Sequence, residues 1–388
     1  MQPSHPPRAD QIYLDYLSTT PCDPEVVEAM IPFFSQQFAN PASSHFLGRQ
    51  AAAAVQNARK QVASLICAQE DEIVFTASAT ESNNLAICGL APLAQPNRRK
   101  LVTTQVEHKS ILEPLKDLAV KGFHVEYLPV DHQGQVVLKM AEDAIDETTL
   151  LVSVQTANNE IGTVQPVEEI AELAHRSGAI FHSDAVQAVG KVEFSAFRVS
   201  ADLVSLSAHK LYGPKGIGAL YIRGGASNTP LAPIIRGGGQ EFGLRPGTSN
   251  VPAIVGFGRA CTIAQSRLQA EAHHIASLRD SFEITLKANL SVISLNGHLK
   301  NRLPSCSSIR FPGLRADEIL ANCPLLAASL GSACTTGKIA PSHVLTAIGL
   351  SEEQAYSTIR FSFGRNTTIE EVETAGQYLT NAIERLER

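Results

Sequence analysis

Length, composition and charge limit the kind of protein that this chain can be. It has 388 residues, of which 44% are hydrophobic and 18% charged, and its formal net charge is −6. This length exceeds one ordinary hydrophobic core and predicts two domains, or one large domain with a smaller partner. Without a block of Lys and Arg residues, the composition offers nothing that would attract nucleic acid.

Membrane insertion and disulfide bonding are also disfavoured. No apolar run approaches the roughly 18 residues of a membrane span, and residues 1–8 lack a hydrophobic signal core and are predicted to form a short disordered arm. The seven cysteines are an odd number. Because they include no Cys-x-x-Cys pair, they argue against a disulfide framework and against a zinc site. We therefore expect no metal and a reducing, cytoplasmic compartment.

Hydrophobic patterning along the first 222 residues predicts alternating strands and helices. A short strand at 13–16 precedes helices at 24–34 and 50–65. Further strands are predicted at 73–76, 100–104, 124–128, 149–155, 179–182 and 202–207. Further helices are predicted at 79–90, 111–121, 138–145 and 166–177. Strands separated by helices of this length form βαβ units and a mainly parallel sheet, which 219–222 is expected to join as an antiparallel strand.

The second part of the chain has a different character. Residues 230–252 form a loop rich in Gly and Pro, and loops of this length are usually functional. A helix from about 251 to 273 is predicted to connect two domains, and an amphipathic helix begins at Ile369. We predict a large domain over 18–255, and a smaller α/β domain formed by 1–17 and 256–388.

Lys210 lies where a predicted strand breaks into a segment with several glycines and a proline. Asp184 lies in the same position at the end of the preceding strand. A lysine and an aspartate on neighbouring strand ends suit pyridoxal 5′-phosphate (PLP), because the amine can bind the cofactor covalently and the carboxylate can keep its pyridine nitrogen protonated. The alternative for Lys210 alone is an ordinary surface lysine, but Ser207 and His209 beside it are both able to contact phosphate.

Other polar residues follow strands of the same predicted sheet, at the edge where ligands bind in open parallel sheets. Ala79 and Thr80 open a helix whose amides are suited to a phosphate, although Thr80 alone could be a plain helix cap. His108 is placed to stack on a flat ring and carry a proton, or else is structural. Asn159 offers an amide to a carboxylate, or else is part of a turn. Gln187 lies three residues past Asp184, within reach of the cofactor's phenolic oxygen.

Two motifs in the second half complete the candidate site. Arg360 and Arg365 lie in an otherwise apolar strand, where a guanidinium grips either a substrate carboxylate or an internal ion-pair partner. Cys334 lies in a segment of small and polar residues, in contrast to the cysteines in apolar helices or beside prolines. A cysteine in such flexible, polar surroundings is placed to react, and the alternative is an ordinary exposed cysteine.

Together these motifs resemble the cysteine desulfurases of the NifS/IscS type, which are PLP enzymes of the aminotransferase-like fold (fold type I). The resemblance covers nearly the whole chain. Its most specific parts are Ser207-Ala208-His209-Lys210, His182-Ser183-Asp184-Ala185-Val186-Gln187, Ala157-Asn158-Asn159-Glu160 and Gly331-Ser332-Ala333-Cys334-Thr335. It implies an L-cysteine substrate, a PLP cofactor, a homodimer, and delivery of sulfur to an acceptor protein such as an iron–sulfur scaffold.

The resemblance also implies a role for each residue of the site. Lys210 carries PLP, Asp184 pairs with its pyridine nitrogen, Gln187 contacts its phenolic oxygen and His108 stacks on its ring. The phosphate is bound by Thr80, Ser207 and His209, and by Thr248 from the second subunit of the dimer. The substrate carboxylate is held by Asn159 and Arg360, and Cys334 receives the sulfur.

Some features depart from the family or leave its chemistry open. Ser78 stands where relatives often have glycine, and Val186 where a small or hydroxyl residue is usual. The chain ends at Arg388 without the extension by which some relatives dock an iron–sulfur scaffold, which leaves the acceptor open. The stretches Gly237–Glu241 and Arg245–Thr248 also resemble selenocysteine lyase. That activity, or an aminotransferase reaction on the same fold, is the alternative.

Overall fold

The computed structural model describes residues 11–225, 231–290, 292–330, 332–335 and 338–387. Side chains are not described for 331–339. The predicted N-terminal arm at 1–8 lies outside these ranges.

Strands and helices alternate through the first part of the described chain. The strands are β1 (Ile12–Tyr13), β2 (Ile73–Thr76), β3 (Lys100–Thr104), β4 (His124–Leu128), β5 (Thr149–Ser153), β6 (Ile180–Asp184), β7 (Leu203–Ser207), β8 (Gly218–Ile222), β9 (Ser294–Asn296), β10 (Cys306–Arg310), β11 (Leu326–Ala327), β12 (Ser329–Leu330), β13 (Ser332–Thr335), β14 (Lys338–Pro341) and β15 (Thr358–Ser362). The helices are α1 (Pro24–Met30), α2 (Pro32–Ser35), α3 (Phe46–Leu65), α4 (Ala79–Leu90), α5 (Lys109–Val120), α6 (Leu138–Ala144), α7 (Val167–Arg176), α8 (Ala196–Val199), α9 (Val251–Asn289), α10 (Ala316–Ala321), α11 (His343–Ala347), α12 (Glu352–Tyr356) and α13 (Ile369–Leu386).

The central sheet has the strand order β2-β8-β7-β6-β5-β3-β4. Strands β3 to β7 pair in parallel, whereas β8 is antiparallel to both of its neighbours. The prediction of a mainly parallel, mixed sheet with an antiparallel return is therefore confirmed. Because the parallel strands point the same way, their carboxyl ends and the helix N-termini that follow meet at one edge.

Alternate residues of the central strands enter two different cores. On β8, Ala219 and Tyr221 pack into one core, while Leu220 and Ile222 pack into the other. Strands β2 and β7 divide their side chains between the same two cores. A sheet buried on both faces needs continuous apolar strands, which is why these runs stand out in the sequence.

A smaller antiparallel sheet, with the order β12-β15-β10-β9, forms the centre of the second part. Its core includes Phe282 of α9, whose ring packs edge-on against Phe361 at 4.9 Å and Phe363 at 5.4 Å between centroids. Helix α13 begins at Ile369 as predicted and buries its apolar face here. These elements confirm the expected smaller α/β unit.

Helix α9 is longer than predicted. It has 39 residues and ends at Asn289 instead of near residue 273. Its first half packs into the large core through residues such as Phe257, and its second half packs into the small core through Phe282. Between them, the side chains of residues 265–274 are exposed or only half-buried, so the predicted end near residue 273 lies where α9 passes between the two cores. The division of the chain at residue 255 remains a prediction.

The predicted helix at 24–34 is two helices, α1 and α2. Pro32 begins the second, because a proline lacks the N–H that would continue the first. Among the described helices, none is both long and apolar enough to cross a membrane.

The long loop at 231–250 is anchored by Glu241. Its carboxylate accepts two hydrogen bonds from Arg59, at 2.7 and 2.8 Å, and one from the backbone N–H of Phe75 at 2.8 Å. The side chains of Glu241 and Arg59 are each 7% exposed. Glu241 and Phe242 have φ values of 47° and 59°, which cost free energy in non-glycine residues and must be offset by such contacts.

We expect Glu241→Ala to lower the free energy of unfolding by about 3 kcal/mol, because the substitution leaves Arg59 buried and unpaired. The control is Glu168→Ala, which breaks a pair with Arg198 whose side chains are 47% and 55% exposed. Exposed pairs contribute less than about 1 kcal/mol. Urea unfolding measures both variants, and equal losses would show that Glu241 does not anchor the loop.

Candidate active site

A cleft of about 380 Å³ opens at the carboxyl edge of the central sheet, within the size range of small-molecule and cofactor sites. Every predicted site residue except Thr248 and Cys334 lines it: Ala79, Thr80, His108, Asn159, Asp184, Gln187, Ser207, His209, Lys210 and Arg360. Leu17, Ser18, Ser78, Ser110, Gln155, Ala157 and Val186 complete the lining. The structure therefore brings together residues spread over most of the sequence.

Lys210 ends the single 3-10 turn that follows β7, and its amine lies against the opposite wall. Its Nζ donates hydrogen bonds to the carbonyl oxygens of Leu17 and Ser18, both at 2.6 Å. Burial, together with the positive charge of Arg360, lowers the pKa of the amine to about 8. A larger fraction of Lys210 is thus neutral, and nucleophilic, near neutral pH than for an exposed lysine.

Asp184 is connected to His108 through two polar side chains. Asn83 donates from Nδ2 to Asp184 Oδ2 and to Ser110 Oγ, both at 2.8 Å. His108 Nδ1 accepts from the backbone N–H of Ser110 at 3.1 Å and lies 2.8 Å from its hydroxyl. Because Nδ1 is an acceptor, the proton of the neutral ring is on Nε2. Burial lowers the pKa of His108, so the ring is neutral at pH 7.

The N-terminus of α4 lies at one end of the cleft. Ser78 caps the helix by accepting from the N–H of Glu81 at 3.2 Å, so Ser78 has a structural role. No described group accepts from the N–H groups of Ala79 or Thr80. A Cβ on Gly218 would lie 2.7 Å from the Ser78 carbonyl carbon and 2.9 Å from the Ala79 nitrogen. Glycine at 218 therefore lets strand β8 pass close beneath this turn.

Gln187 is held from both sides. Its Nε2 donates to the Leu17 carbonyl at 3.0 Å, and its Oε1 accepts from Lys191 at 3.0 Å. Because Lys191 fixes the carbonyl oxygen of the amide, the NH2 group is the part that faces the cleft wall next to Lys210. Gln187 is thus oriented as a hydrogen-bond donor.

Both arginines of the β15 segment have internal partners. Arg365 pairs with Asp23 at 2.5 Å and with Glu271 at 2.6 Å, and its guanidinium lies 4.1 Å from the centre of the Tyr212 ring. This residue is structural. Arg360 lines the cleft but also pairs with Asp15 at 2.7 Å. The internal pairing that the sequence left open for Arg360 is therefore observed, and its binding of a substrate carboxylate stays a prediction that its position in the cleft allows.

Asn158 and Asn159 have different surroundings. Asn158 is fully buried, donates to the Val106 carbonyl and accepts from the N–H groups of Glu160 and Ile161, so its amide shapes the turn. The side chain of Asn159 lines the cleft, while its carbonyl accepts from Arg360 Nη1 at 2.7 Å. Asn159 is therefore the residue of this pair that can contact a ligand.

Two predicted site residues do not line the cleft. Thr248 lies in a separate pocket together with Phe75, Gly216 and Arg245. The backbone of Cys334 lies in the hairpin formed by β13 and β14, opposite Ile339, and its side chain is outside the described part of the structure.

The hairpin joins segments that contact the cleft. Ser329, which precedes it, accepts from Arg360 Nη2 at 2.9 Å. After it, Ser342 donates to the Glu160 carboxylate, and His343 Nε2 lies 2.9 Å from the carbonyl oxygen of Glu107. The ends of the cysteine segment are thus held on two sides of the cleft.

Sequence reasoning missed Asn83, Ser110, Asp15 and Ser18, all of which connect predicted site residues. Asn83 lies in the small, polar segment that opens α4, and Ser110 lies two residues past His108. Both residues could have been proposed from the sequence, because each lies within a few residues of a predicted site residue. Asp15 offered none, because its contact with Arg360 spans 345 residues of sequence.

The polar groups of the cleft fit PLP. A lysine amine, a carboxylate and an amide donor face one space, and two free N–H groups of an α-helix lie at its end, where a phosphate is stabilised.

No group of three or more His, Cys, Asp or Glu side chains that could hold a metal ion occurs within the described ranges.

Comparison with known proteins agrees with this geometry. The profile of the family "Aminotransferase class-V" matches residues 12–374. Cysteine desulfurase IscS of Ehrlichia chaffeensis is 43% identical over 376 residues, which cover 97% of this chain and 92% of that protein. The mitosomal cysteine desulfurase of Encephalitozoon cuniculi is 43% identical over 379 residues, covering 97% and 87% of the two chains.

Solved structures show the same fold. A NifS-like protein superposes with a TM-score of 0.89 at 38% identity, covering 97% of this chain and 99% of its own. The structure described as SspA in complex with cysteine has a TM-score of 0.82 at 40% identity and covers 92% and 100% of the two chains. The chain therefore has the PLP-dependent fold of type I and belongs to the aminotransferase class-V family, among the cysteine desulfurases of the NifS/IscS type.

Proposed function

We propose that this protein converts L-cysteine to L-alanine and transfers the sulfur to Cys334 as a persulfide. The observation that carries the proposal is the meeting of Lys210, Asp184, His108 and Arg360 in one cleft. These residues supply an amine, a counter-ion, a proton carrier and a carboxylate-binding group for an amino acid substrate.

PLP is the cofactor of this proposal, and when bound it takes up the electron pair left by the Cα proton. Lys210 holds it covalently, and Asp184 stabilises the protonated pyridine nitrogen. Gln187 donates to the phenolic oxygen, and His108 packs on the ring. The phosphate is held by the amides of Ala79 and Thr80, by the Thr80 side chain, and by Ser207 and His209.

Lys210 has a second role after the substrate amine has displaced it. Its free amine, with the pKa lowered by burial to about 8, accepts the Cα proton and returns it elsewhere on the substrate. The carbonyls of Leu17 and Ser18 hold the amine in the cleft while it carries this proton.

The lowered pKa of Lys210 predicts how cofactor loading depends on pH. Only the neutral amine attacks the aldehyde of PLP, and its fraction grows as the pH rises to the pKa. We expect the rate at which the apoprotein takes up PLP to rise with pH and to level off above about pH 8. Absorbance of the bound cofactor measures this rate, with N-acetyl-lysine as the control for titration of PLP itself. A rate that follows the control up to pH 10 would mean that Lys210 titrates like an exposed lysine.

Sulfur transfer uses the other residues of the cleft. Arg360 and Asn159 hold the substrate carboxylate, and His108, which carries its proton on Nε2 when neutral, donates a hydrogen bond to the substrate sulfur, whose own proton stays on the transferred sulfur atom. The Cys334 thiolate attacks the substrate Sγ, so that an S–S bond forms while the Cβ–Sγ bond breaks. The electron pair of that bond stays on the substrate carbon, which becomes the methyl group of alanine after protonation.

The proposal includes a homodimer, because the motif around Thr248 resembles one that completes the phosphate site of the other subunit. Thr248 does not line the cleft of its own chain but lies in a separate pocket beside Arg245, and this position supports such a role. Sedimentation should give about twice the chain mass of 41.6 kDa. A fully active monomer would contradict this part of the proposal.

We further propose that the persulfide passes to an acceptor protein, such as a scaffold for iron–sulfur clusters, in the cytoplasm. The described cysteines, Cys22, Cys67, Cys88, Cys261, Cys306 and Cys323, are all free thiols, which suits a reducing compartment. Trapping of mixed disulfides with Cys334 in intact cells, followed by fractionation, tests both statements. Recovery of the protein outside the cytoplasm would contradict the location.

The proposed function is tested by supplying three substrates in turn to the purified holoenzyme. L-Cysteine should yield L-alanine and a protein-bound persulfide. Selenocysteine turned over in strong preference to cysteine would instead identify a selenocysteine lyase. A new amino acid formed from an added 2-oxo acid would identify an aminotransferase.

A further inference from the structure

The guanidinium of Arg360 is already occupied by a carboxylate of its own chain. Arg360 Nη2 donates to Asp15 Oδ1 at 2.7 Å, to Ser18 Oγ at 2.8 Å and to Ser329 Oγ at 2.9 Å. Nη1 donates to the Asn159 carbonyl at 2.7 Å. The Arg360 side chain is only 10% exposed, so these partners nearly enclose it.

A bidentate grip on a substrate carboxylate requires Nη2. A guanidinium binds a carboxylate through two neighbouring N–H groups, either from Nε and Nη2 or from Nη1 and Nη2. Nη2 has two protons, and three oxygen atoms already accept from it. Nε is buried and has no hydrogen-bond partner among the described residues. A substrate carboxylate therefore has to displace an acceptor from Nη2.

Asp15 is the partner that a second carboxylate would displace. Two carboxylates on the same nitrogen repel each other, whereas a serine hydroxyl beside a carboxylate can turn and donate to it. Ser329 Oγ already donates to Asp15 Oδ1 at 2.8 Å. The Asp15 side chain is 20% exposed, so water can solvate the charge once it leaves Arg360.

We propose that Asp15 is a positioning residue that takes the place of the substrate carboxylate on Arg360, so that substrate binding is an exchange of one carboxylate for another. The inference rests on the proposed role of Arg360 as the substrate-carboxylate ligand. Before substrate binds, Asp15 neutralises a nearly buried cation and keeps it in the cleft. After turnover, it competes with the carboxylate of L-alanine and so favours product release.

Asp15 could exchange with the ligand carboxylate on Arg360, or it could only hold Arg360 in place. The two roles predict opposite effects of Asp15→Asn on ligand affinity. If Asp15 competes with the ligand, loss of its charge leaves Arg360 more attractive to carboxylates, and the ligand binds more tightly. If Asp15 only supports Arg360, the same change loosens the arginine and the ligand binds more weakly. Asparagine keeps the size of the side chain, so the change tests mainly the charge.

The experiment is calorimetric titration of the holoenzyme with L-alanine. We expect the dissociation constant of Asp15→Asn to fall by at least about threefold relative to the parent. Binding of L-alaninamide, which lacks the carboxylate, should not change by more than the error of the measurement. An unchanged or raised dissociation constant for L-alanine would overturn the proposal, as would an equal gain for the amide.

Two further variants keep the result interpretable. Asp23→Asn removes the carboxylate from the neighbouring Asp23–Arg365 pair, and it should lower the melting temperature without tightening L-alanine binding. If Asp15→Asn does not fold, Asp15→Ser also removes the charge while it keeps a hydroxyl, and it should likewise tighten binding of L-alanine but not of the amide. Weaker or unchanged binding by Asp15→Ser would then reject the exchange.

Failure of the proposed function has a different signature from failure of the exchange. A parent enzyme that binds L-alanine but does not desulfurate L-cysteine overturns the proposed function and leaves the binding comparison valid. A parent that desulfurates L-cysteine, combined with an Asp15→Asn variant that binds L-alanine more weakly, overturns only the exchange.

Discussion

Replacing Lys210 by alanine is expected to reduce L-alanine formation from L-cysteine by at least about 10⁴-fold. In the proposed mechanism one amine holds PLP and also moves the Cα proton, so the substitution removes both functions together. The fold should remain, because the neighbouring buried side chains, Ala208 and Leu211, are unchanged. Alanine release measures the activity, and circular dichroism checks the fold.

Lys215 is the matched control for this substitution. It lies five residues farther along the same turn and is exposed, so Lys215→Ala should retain the parental rate. A Lys210→Ala variant that keeps near-parental activity, or that still forms a borohydride-reducible link to the cofactor, would show that another amine holds PLP.

Replacing Cys334 by serine is expected to lower L-alanine formation by at least about 10³-fold, because a hydroxyl is hardly ionised at neutral pH and is a poor nucleophile towards sulfur. The cleft residues proposed to bind the cofactor and the carboxylate are not altered. PLP content and the dissociation constant for L-alanine should therefore equal those of the parent.

Cys67 provides the control for this variant, since it is an exposed free thiol. Cys67→Ser should form L-alanine at the parental rate. A Cys334→Ser variant that also kept that rate would place the sulfur acceptor elsewhere. Loss of activity on cysteine with retained activity on selenocysteine would favour the lyase alternative.

Most of the fold could be predicted because both faces of the central sheet are buried. Some strands then appear as short runs of mostly apolar residues, as in Ile73–Thr76, which the sequence delimits correctly. The positions of Lys210 and Asp184 follow from the same rule, since parallel strands end at one edge. Local patterning was therefore sufficient for the sheet and for the residues that follow its strands.

Local patterning could not identify contacts that depend on distant segments. Helix α9 passes from one core to the other, and the side chains between the two cores are exposed or only half-buried. Asp15 precedes Arg360 by 345 residues, and no property of either neighbourhood shows that they meet. Arg360 both lines the cleft and pairs with Asp15. This becomes apparent only in the folded structure, where β1, β12 and β15 lie close together.

Asn83 illustrates an intermediate case. It is the fifth residue of α4 and follows the residues that suggested a phosphate site, so its neighbourhood was visible in the sequence. Its contacts with Asp184 and Ser110, both at 2.8 Å, depend on how α4 packs beside α5 and β6. The sequence could indicate that Asn83 lies near the site. It could not indicate that Asn83 connects Asp184 to Ser110 and His108.

A single-turnover reaction tests the central claim most directly. The purified holoenzyme is mixed with one equivalent of L-cysteine in the absence of reductant and acceptor, and L-alanine and the mass of the Cys334 peptide are measured together. The account predicts one L-alanine for each Cys334 peptide that gains one sulfur atom. L-Alanine formed without sulfur on Cys334, or sulfur found on another cysteine, would contradict it.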